Sequence, residues 1–392
     1  MTGAMNFTIA GLPKIIFGEG TIRQIGELCA SFGGRILLVT GERSFSDTRI
    51  QSILEESLHA RHLTWYRYIV AGEPSPSIVD TAVREYKGKH IRSVVAVGGG
   101  SVLDAGKAIA AMFCENGSVK DFLDDVGNKI PSGKRLPLVA VPTTAGTGSE
   151  ATKNAVISEL GEKGFKKSLR HDRYVPDLAL IDPVLTYDCS PQQTAASGMD
   201  AFTQLLESYL STAANPFTDA LALAGLQAVA SGLEKVMSDP ENQKARAEMA
   251  YAALLSGITL ANAGLGVIHG FAQPLGSFFP VPHGIVCGTL MGVVNRMTVA
   301  RLKKMPAGME YLSKYTLAGR LFARTQGLSD NYYVDLLLDT IDRYTIDFKI
   351  PMLSEFGVNQ ESLDRIVAKT GLKNHPVAFD KKDLKKILMK RI

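Results

Sequence analysis

The first 187 residues alternate short apolar runs with amphipathic segments, and this alternation limits the folds open to the chain. The apolar runs have the length of buried strands and cover 35–41, 63–70, 93–100, 136–144 and 178–183. Segments with the apolar spacing of a helix lie between the first four runs. Val-rich runs separated by helices are typical of parallel strands covered on both faces. We therefore predict an α/β domain with a parallel, Rossmann-like sheet.

After residue 187 the signals for strands nearly vanish. Long segments rich in Ala and Leu follow, at 192–211, 219–237, 244–264 and 312–325. Their composition and spacing predict helices. We therefore expect an α/β domain over 1–187, an all-α domain over 188–392 and a ligand cleft between the two.

Composition excludes several classes of protein. Apolar residues make up 45% of the chain and charged residues 21%, which argues against disorder. The net charge of +4 arises from 43 basic and 39 acidic residues, and this balance argues against a nucleic-acid partner. The basic residues near the C-terminus, in DKKDLKKILMKRI, are predicted to form the solvated face of a helix that buries Leu384, Ile387 and Leu388.

The sequence also suggests where the protein works. It begins without the pattern of a secretory signal, and it contains no apolar run of about 18 residues, so we expect no membrane attachment. The four cysteines, Cys29, Cys114, Cys189 and Cys287, lack the CxxC spacing of redox and zinc-knuckle motifs. We therefore expect a cytoplasmic protein with reduced thiols.

Two loops rich in small residues follow predicted strands. In VVAVGGGSVLDAGK, the residues Gly98, Gly99, Gly100 and Ser101 join a strand to a helix, where a diphosphate can approach the backbone and the helix N-terminus. The spacing departs from GxGxxG at its last position, so a tight connection without a ligand is the alternative. The second loop, VPTTAGTGSE (141–150), follows the next strand. Two such loops at the carboxyl ends of parallel strands are expected where a dinucleotide crosses the sheet.

Together the two loops resemble the hallmark motifs of the iron-containing (group III) alcohol dehydrogenase family. GGGSVLDAGK matches the family's GGGSxxDxAK except that Gly106 replaces Ala, and PTTAGTGSE matches its PTTxGTGSE. The resemblance continues through GMDAFTQLLESYLS and GLGVIHGFAQPLGSFFPVPHG. It implies a dehydroquinate synthase-like architecture, in which 1–187 binds a dinucleotide and 188–392 carries a divalent metal and the substrate. The implied activity is NAD(P)-dependent interconversion of a small alcohol and its aldehyde or ketone. We also expect a homo-oligomer, a dimer or larger.

The resemblance assigns residues to the cofactor pocket. Besides 98–101, its wall is expected to contain the hydroxyl residues of the second loop, Thr143, Thr144, Thr147 and Ser149. Gly146 and Gly148 are expected to let the backbone come close. Lys166 is expected to reach the cofactor ribose, with its neighbour Lys167 as the alternative. Asp104 and Lys107, three residues apart on a predicted helix, form either a surface ion pair or a structural contact beside the loop.

The resemblance also implies a metal centre, from which this chain departs. Family members supply an Asp, a His four residues later and two further His that lie fourteen residues apart. The corresponding residues here are Asp200, Gln204, His269 and His283. Positions 200 and 204 share one helix face, so Gln204 can offer a neutral carbonyl oxygen.

A further family histidine near the substrate is here Gln273. We place His269, His283 and Gln273 at the catalytic centre and leave open whether iron, zinc or no metal is bound there. Without a metal, a protonated His269 or His283 would polarise the substrate oxygen. Three apolar residues nearby, Phe271, Phe278 and Phe279, line either the substrate pocket or the core.

Three functions therefore stay open. The first is an alcohol dehydrogenase that works as an aldehyde or ketone reductase. The second is a metal-independent reductase of the same superfamily, of the maleylacetate reductase type. The third is a nucleotide-binding homologue whose catalysis is impaired. The intact PTTAGTGSE motif argues against the dehydroquinate synthase-like lyases.

The choice of nicotinamide depends on LLVTGERSF, at the end of the first predicted strand. Relatives that favour NADH tend to carry an acid at the position of Gly41, where it would repel a 2′-phosphate. Gly41 removes that repulsion, and Arg43 and Ser44 can bind the phosphate, although Glu42 can instead take over the acidic role. We predict that NADPH is used at least as well as NADH.

Overall fold

The structure is a computed structural model that describes residues 6–42, 45, 49–161 and 164–392. The described strands are β1 (Lys14–Phe17), β2 (Arg35–Gly41), β3 (Thr64–Val70), β4 (Ser93–Gly98), β5 (Leu138–Pro142), β6 (Asn154–Glu159), β7 (Phe165–Arg170) and β8 (Leu178–Ile181). The helices of the first half are α1 (Ile25–Ala30), α2 (Arg49–His59), α3 (Pro76–Tyr86) and α4 (Gly100–Met112). Those of the second half are α5 (Pro191–Tyr209), α6 (Pro216–Ser238), α7 (Gln243–Ala263), α8 (Val267–Phe278), α9 (His283–Leu302), α10 (Gly308–Phe322), α11 (Asp330–Asp347), α12 (Leu363–Lys369) and α13 (Lys381–Met389).

Six strands form a parallel sheet in the order β1-β8-β5-β4-β2-β3, and β6 and β7 form a separate antiparallel hairpin. The five predicted strands are all present, as β2, β3, β4, β5 and β8. From β2 the chain goes outward to β3 and then returns to β4 on the other side of β2. This reversal of strand order marks the edge of the sheet where open α/β folds bind ligands.

Helices cover both faces of the sheet, as predicted. Alternate residues of one strand enter different cores, because successive side chains in a strand point to opposite faces. On β2, Ile36 and Leu38 pack with residues of α1 and α2, while Leu37 and Val39 pack with residues of α3 and α4. Burial on both faces is the reason that these strands are continuously apolar.

The second half is helical in all of its described elements and has one large apolar core. Its first helix, α5, has Pro191 in its first turn, and the Ser190 hydroxyl caps it by accepting from the Gln193 amide. The core also takes in Ala179 and Ile181 of β8, so the helices pack directly against the α/β half. The predicted boundary at 187/188 falls between the end of β8 and the start of α5.

Two helices, α6 and α9, are long and apolar enough to cross a membrane by length and composition alone, and there are up to three such spans if the bent pair α7–α8 counts as one. Within the fold, 72% of the most apolar 18-residue stretch of α9 is buried, against 44% of the corresponding stretch of α6. The expected absence of a membrane partner stays a prediction. The predicted C-terminal helix is confirmed, since α13 buries Leu384, Ile387 and Leu388.

Candidate active site

The two loops of small residues lie side by side. Gly98 at the end of β4 is paired with Pro142 at the end of β5, and the Thr143 amide donates to the Gly98 carbonyl at 3.0 Å. Gly99 is the N-cap of α4, and no described side chain caps this helix. Since Gly99, Gly100 and Ser101 are only half-buried, the first amides of α4 stay open to an anionic ligand.

The hydroxyl residues of the second loop differ in their accessibility. Thr144 and Thr147 are half-buried, whereas Thr143 and Ser149 are buried. The Ser149 hydroxyl already donates to Asp104 of α4. Thr143 Oγ1 has no hydrogen-bond partner among the described residues. Thr144 and Thr147 are therefore the members of the predicted pocket wall that a ligand reaches first.

Asp104 and Lys107 form a structural contact, the second of the two predicted alternatives. Lys107 is 2% exposed, and its ammonium group lies 3.0 Å from the Asp104 carboxylate. It also donates to the Ser149 carbonyl and to the Thr152 hydroxyl, at 3.0 Å each. The pair connects α4 to the second loop and so fixes the positions of the two loops relative to each other.

The glycines of the second loop permit close packing against the helical half. Gly148 has a φ of +60°, and a side chain there would come within 2.4–2.5 Å of backbone atoms of α7, at Ala253 and Gly257. A side chain on Gly146 would meet Ser197 of α5 at 3.0 Å. Their expected role of bringing backbone close to the cofactor stays a prediction, and the close approach that the structure does have is to α5 and α7.

Three of the predicted metal ligands meet in one buried cluster, although they come from α5, α8 and α9. His269 Nε2 and His283 Nε2 lie 3.5 and 3.6 Å from the same atom, Asp200 Oδ1. The cluster can form because the start of α9 packs closely against α5. A side chain on Gly284 would lie only 2.3 Å from the Ala196 carbonyl oxygen of α5. The glycine after His283 thus lets the start of α9 reach Asp200.

The cluster fits a divalent metal ion. Asp200 is 2% exposed, and its Oδ1 has no hydrogen-bond partner among the described residues. A buried carboxylate oxygen without a partner is costly unless a cation completes it. A fourth residue with a donor atom, Cys287, joins the group, and its four donor atoms all lie within 4.8 Å of one another.

Glu207 orients one of the imidazoles and was missed in the sequence. Its Oε2 lies 2.7 Å from His269 Nδ1, and its Oε1 accepts from the Ile268 amide at 2.7 Å. A carboxylate behind a histidine is the usual outer partner of a metal ligand. Asp200, Gln204 and Glu207 form an i, i+4, i+7 stripe, a spacing that could have revealed Glu207. Cys287 likewise follows His283 by one helical turn.

Gln204 is buried on α5, one turn after Asp200, with its amide oxygen beside a hydroxyl of α7. The Ser256 hydroxyl of α7 is 3.2 Å from Gln204 Oε1 and 3.3 Å from the Gly146 carbonyl oxygen. The shortest contact of this hydroxyl is to the Ala253 carbonyl of its own helix, at 2.8 Å, so Ser256 lies between the second loop and the helix that carries Asp200. The prediction that Gln204 ligates a metal stays a prediction.

Burial and the neighbouring charges shift the pKa values of the two histidines in opposite directions. Burial lowers the pKa of His283 to about 4, although Asp200 acts in the opposite direction. Burial also acts against the charged form of His269, but the carboxylates of Asp200 and Glu207 outweigh it and raise the pKa of His269. Against burial, the two imidazoles lower the pKa of Asp200 to about 2. His283 is therefore neutral at pH 7, as a metal ligand must be.

The open side of the cluster faces residues from both halves. The His283 side chain is 28% exposed, against 4% for His269. Lys166, whose charge helps to lower the pKa of His283, pairs with Glu73 at 2.8 Å. Lys167 instead pairs with Asp125 at 2.7 Å. Of the two lysines, Lys166 is thus the one beside the cleft.

The remaining predicted residues divide between cleft and core. Gln273 is half-buried on α8, one turn after His269. Phe271 is fully buried in the helical core, whereas Phe278 and Phe279 are half-buried beneath the Arg365 guanidinium. Gly41 ends β2 and Glu42 is exposed beside it. Arg43 and Ser44 lie outside the described residues.

Comparison with known proteins finds matches along nearly the whole chain. The model for iron-containing alcohol dehydrogenase matches residues 13–183, and that for the C-terminal part of the Fe-containing alcohol dehydrogenase family matches 194–392. A 1,3-propanediol dehydrogenase from Citrobacter freundii is 34% identical over 356 residues, covering 88% of this chain and 87% of its own. Alcohol dehydrogenase 4 from Schizosaccharomyces pombe is 30% identical, covering 90% and 80%. A crystal structure of 1,3-propanediol oxidoreductase superposes with a TM-score of 0.87 at 27% identity, covering 100% of both chains.

Proposed function

The chain belongs to the iron-containing alcohol dehydrogenase family, and from this premise we propose that it interconverts a small alcohol and its aldehyde by hydride exchange with NAD(P)H. Its fold is the dehydroquinate synthase-like fold of that family's structures. The observation that carries the proposal is the cluster of Asp200, His269 and His283, with a buried carboxylate oxygen that has no hydrogen-bond partner among the described residues. The Ser256 hydroxyl lies within 3.3 Å of both the Gly146 carbonyl oxygen of the second loop and the amide oxygen of Gln204, one turn after Asp200.

The cofactor would bind across the loops at the ends of β4 and β5. The uncapped N-terminus of α4 offers amides and a positive dipole end to the diphosphate. Thr144 and Thr147 line the approach from the second loop. Lys166 lies where it can hold a cofactor hydroxyl near His283, provided that its pairing with Glu73 opens. The nicotinamide supplies or accepts the hydride.

The metal and substrate would bind on the helical side. Asp200, His269 and His283 would hold a divalent ion, which acts as a Lewis acid on the substrate oxygen when bound. Glu207 fixes the orientation of His269 through its Nδ1. Gln273, one turn after His269, is placed to donate its amide to the same oxygen. In the reducing direction the carbonyl carbon gains a hydride and the oxygen gains a proton, which gives the alcohol.

The names of the relatives suggest short alcohols as probes. We propose a substrate of the size of 1,3-propanediol or 1-propanol, because a 1,3-propanediol dehydrogenase is among the relatives with the highest identity. The test is the oxidation of NADH and NADPH with propanal, butanal and acetone, together with the reverse reaction of 1-propanol and 1,3-propanediol. We expect turnover of at least one pair, and we expect Asp200→Asn to abolish it.

Asp335→Asn serves as the matched control, since Asp335 is an exposed acid on α11. This control should keep the wild-type rate. Tight cofactor binding without turnover of any pair would contradict the proposal and would support the impaired nucleotide-binding homologue instead.

We further propose that NADPH is used at least as well as NADH. Support comes from Gly41, which puts no acid at the end of β2 to repel a 2′-phosphate. The measurement is kcat/KM for both cofactors at one aldehyde concentration. A preference for NADH of about tenfold or more, or about 1.4 kcal/mol, would show that Glu42 has taken the acidic role.

A further inference from the structure

Cys287 occupies a position in the metal cluster to which neither the family match nor the predicted ligand set assigns a role. It is fully buried on α9, one turn after His283. Its Sγ lies 3.6 Å from His269 Nε2 and 3.8 Å from His283 Nε2. The thiol therefore faces the same point as the two imidazoles and the Asp200 carboxylate.

The spacing of these atoms is that of a tetrahedral metal site. Zinc bonds of about 2.1 Å to nitrogen or oxygen and about 2.3 Å to sulfur place neighbouring ligands roughly 3.4–3.6 Å apart. The separations from Asp200 Oδ1 to the two Nε2 atoms are 3.5 and 3.6 Å. With the sulfur–nitrogen separations of 3.6 and 3.8 Å, four of the six edges of the tetrahedron lie within about 0.2 Å of this expectation.

Gln204 competes poorly for the same role. Its amide oxygen, the atom that could bind a metal, lies 3.2 Å from the Ser256 hydroxyl. A neutral amide oxygen is also a weaker ligand for zinc than a thiolate. The chain thus has glutamine at one expected ligand position and a cysteine at the vacant corner of the cluster.

We propose that Cys287 is the fourth protein ligand and that Asp200, His269, His283 and Cys287 form a zinc-preferring site. As the sulfur–metal bond forms, the thiol loses its proton to solvent. One carboxylate and one thiolate then neutralise the charge of a divalent ion. The soft sulfur favours zinc or cobalt over harder ions such as magnesium. This inference rests on the proposed metal role of the cluster, but it does not depend on turnover.

The test is titration of the metal-free protein with Co²⁺, followed by absorption spectroscopy. We expect one ion per chain and a thiolate-to-cobalt charge-transfer band in the near ultraviolet. Cys287→Ser should lose the band and weaken zinc binding about tenfold or more. Cys114→Ser, which removes an exposed cysteine, should keep both. Gln204→Leu should keep the band as well.

Two results would overturn the assignment. One is stoichiometric cobalt binding without a charge-transfer band, and the other is unchanged zinc affinity in Cys287→Ser. If Cys287→Ser does not fold, X-ray absorption of the wild-type zinc protein decides, because one sulfur at about 2.3 Å must be present. Failure of turnover with the band intact would contradict only the proposed function.

Discussion

At the scale of single residues, the first loop of small residues (98–101) contains one glycine that can be changed with little effect on packing. A side chain on Gly98 would meet Val102 at 2.6 Å, and one on Gly100 would meet Thr147 at 2.7 Å. A side chain on Gly99 meets only the Thr144 side chain, at 3.3 Å. A substitution at Gly99 therefore tests the proposed cofactor binding with little effect on folding.

We expect Gly99→Ala to weaken NAD(P)H binding about tenfold or more, because the added methyl group stands where the diphosphate must approach the backbone. Fluorescence titration of the cofactor measures the effect, and thermal unfolding checks the fold. Gly88→Ala, at a site with open space around it, is the control. Equal affinity in a folded Gly99→Ala variant would show that the diphosphate binds elsewhere.

Glu207 would act on a bound metal only through His269. Glu207→Gln keeps the shape of the side chain but removes the negative charge behind His269 Nδ1. Since outer partners of this kind typically contribute about 10- to 100-fold in metal affinity, we expect a loss in that range. Competition with a chelating dye measures it. Glu310→Gln, at an exposed acid of α10, should bind zinc like the wild type. A purely structural role for Glu207 would change the unfolding temperature and leave the affinity as it was.

At the scale of elements, the second loop (141–150) packs closely against α7. Gly148→Ala would force a methyl group to within 2.4–2.5 Å of α7 backbone and would also place alanine at a φ of +60°. The backbone atoms of α7 cannot move aside as a flexible side chain can. We therefore expect a loss of about 2 kcal/mol or more in the free energy of unfolding. Denaturant titration measures this loss.

Gly34→Ala is the matched control for this variant, since a side chain at Gly34 meets nothing within 4 Å. It should unfold at nearly the wild-type denaturant concentration. If Gly148→Ala did the same, the loop and α7 would have to pack less closely than the structure indicates.

Four of the five strands that the sequence predicted are buried on both faces, whereas the fifth, β3, is mostly half-buried or exposed. β2, β4, β5 and β8 are almost wholly buried, so each appears as a continuous apolar run. The strands that it missed are exposed or half-buried. β1 is four residues long and lies at the sheet edge, and β7 has the mixed sequence FKKSLR. Their pairing depends on tertiary contacts, which local apolar patterns do not report.

At the scale of the whole molecule, the site depends on contacts that no local pattern encodes. The sequence could offer Asp200, His269 and His283 as ligands, but their meeting needs three helices from distant parts of the chain. The resemblance to the family's motifs is what indicates that these three residues belong to one site. Glu207 and Cys287 lie outside the ligand set that the resemblance implies, and their contacts with His269 arise only from the packing of α5 and α9 against α8.

Global stability should also respond to pH through Glu150, which is 2% exposed beside α7. Burial raises the pKa of Glu150 from 4.5 to about 7, with Lys107 opposing. The folded state then binds the proton more tightly than the unfolded state, so stability falls as pH rises from 4.5 to 7. Glu150→Gln removes this dependence and should be more stable than the wild type by roughly 3 kcal/mol at pH 8.

The measurement for Glu150→Gln is denaturant unfolding at pH 5 and pH 8. The advantage of this variant should grow between the two values, whereas the exposed control Glu56→Gln should follow the wild type at both. An advantage that is equal at pH 5 and pH 8 would mean that Glu150 stays ionised in the folded protein.

The central claim is that one cleft combines a nicotinamide cofactor with a metal held by Asp200, His269 and His283. The most direct test follows aldehyde-dependent NAD(P)H oxidation and bound metal per chain together, during chelation and then during readdition of Zn²⁺ or Fe²⁺. We predict that turnover falls in proportion to the metal lost, by about 100-fold or more, and returns with the ion, since a Lewis acid contributes several kcal/mol. Full turnover in metal-free protein would contradict the claim and would identify a metal-independent reductase.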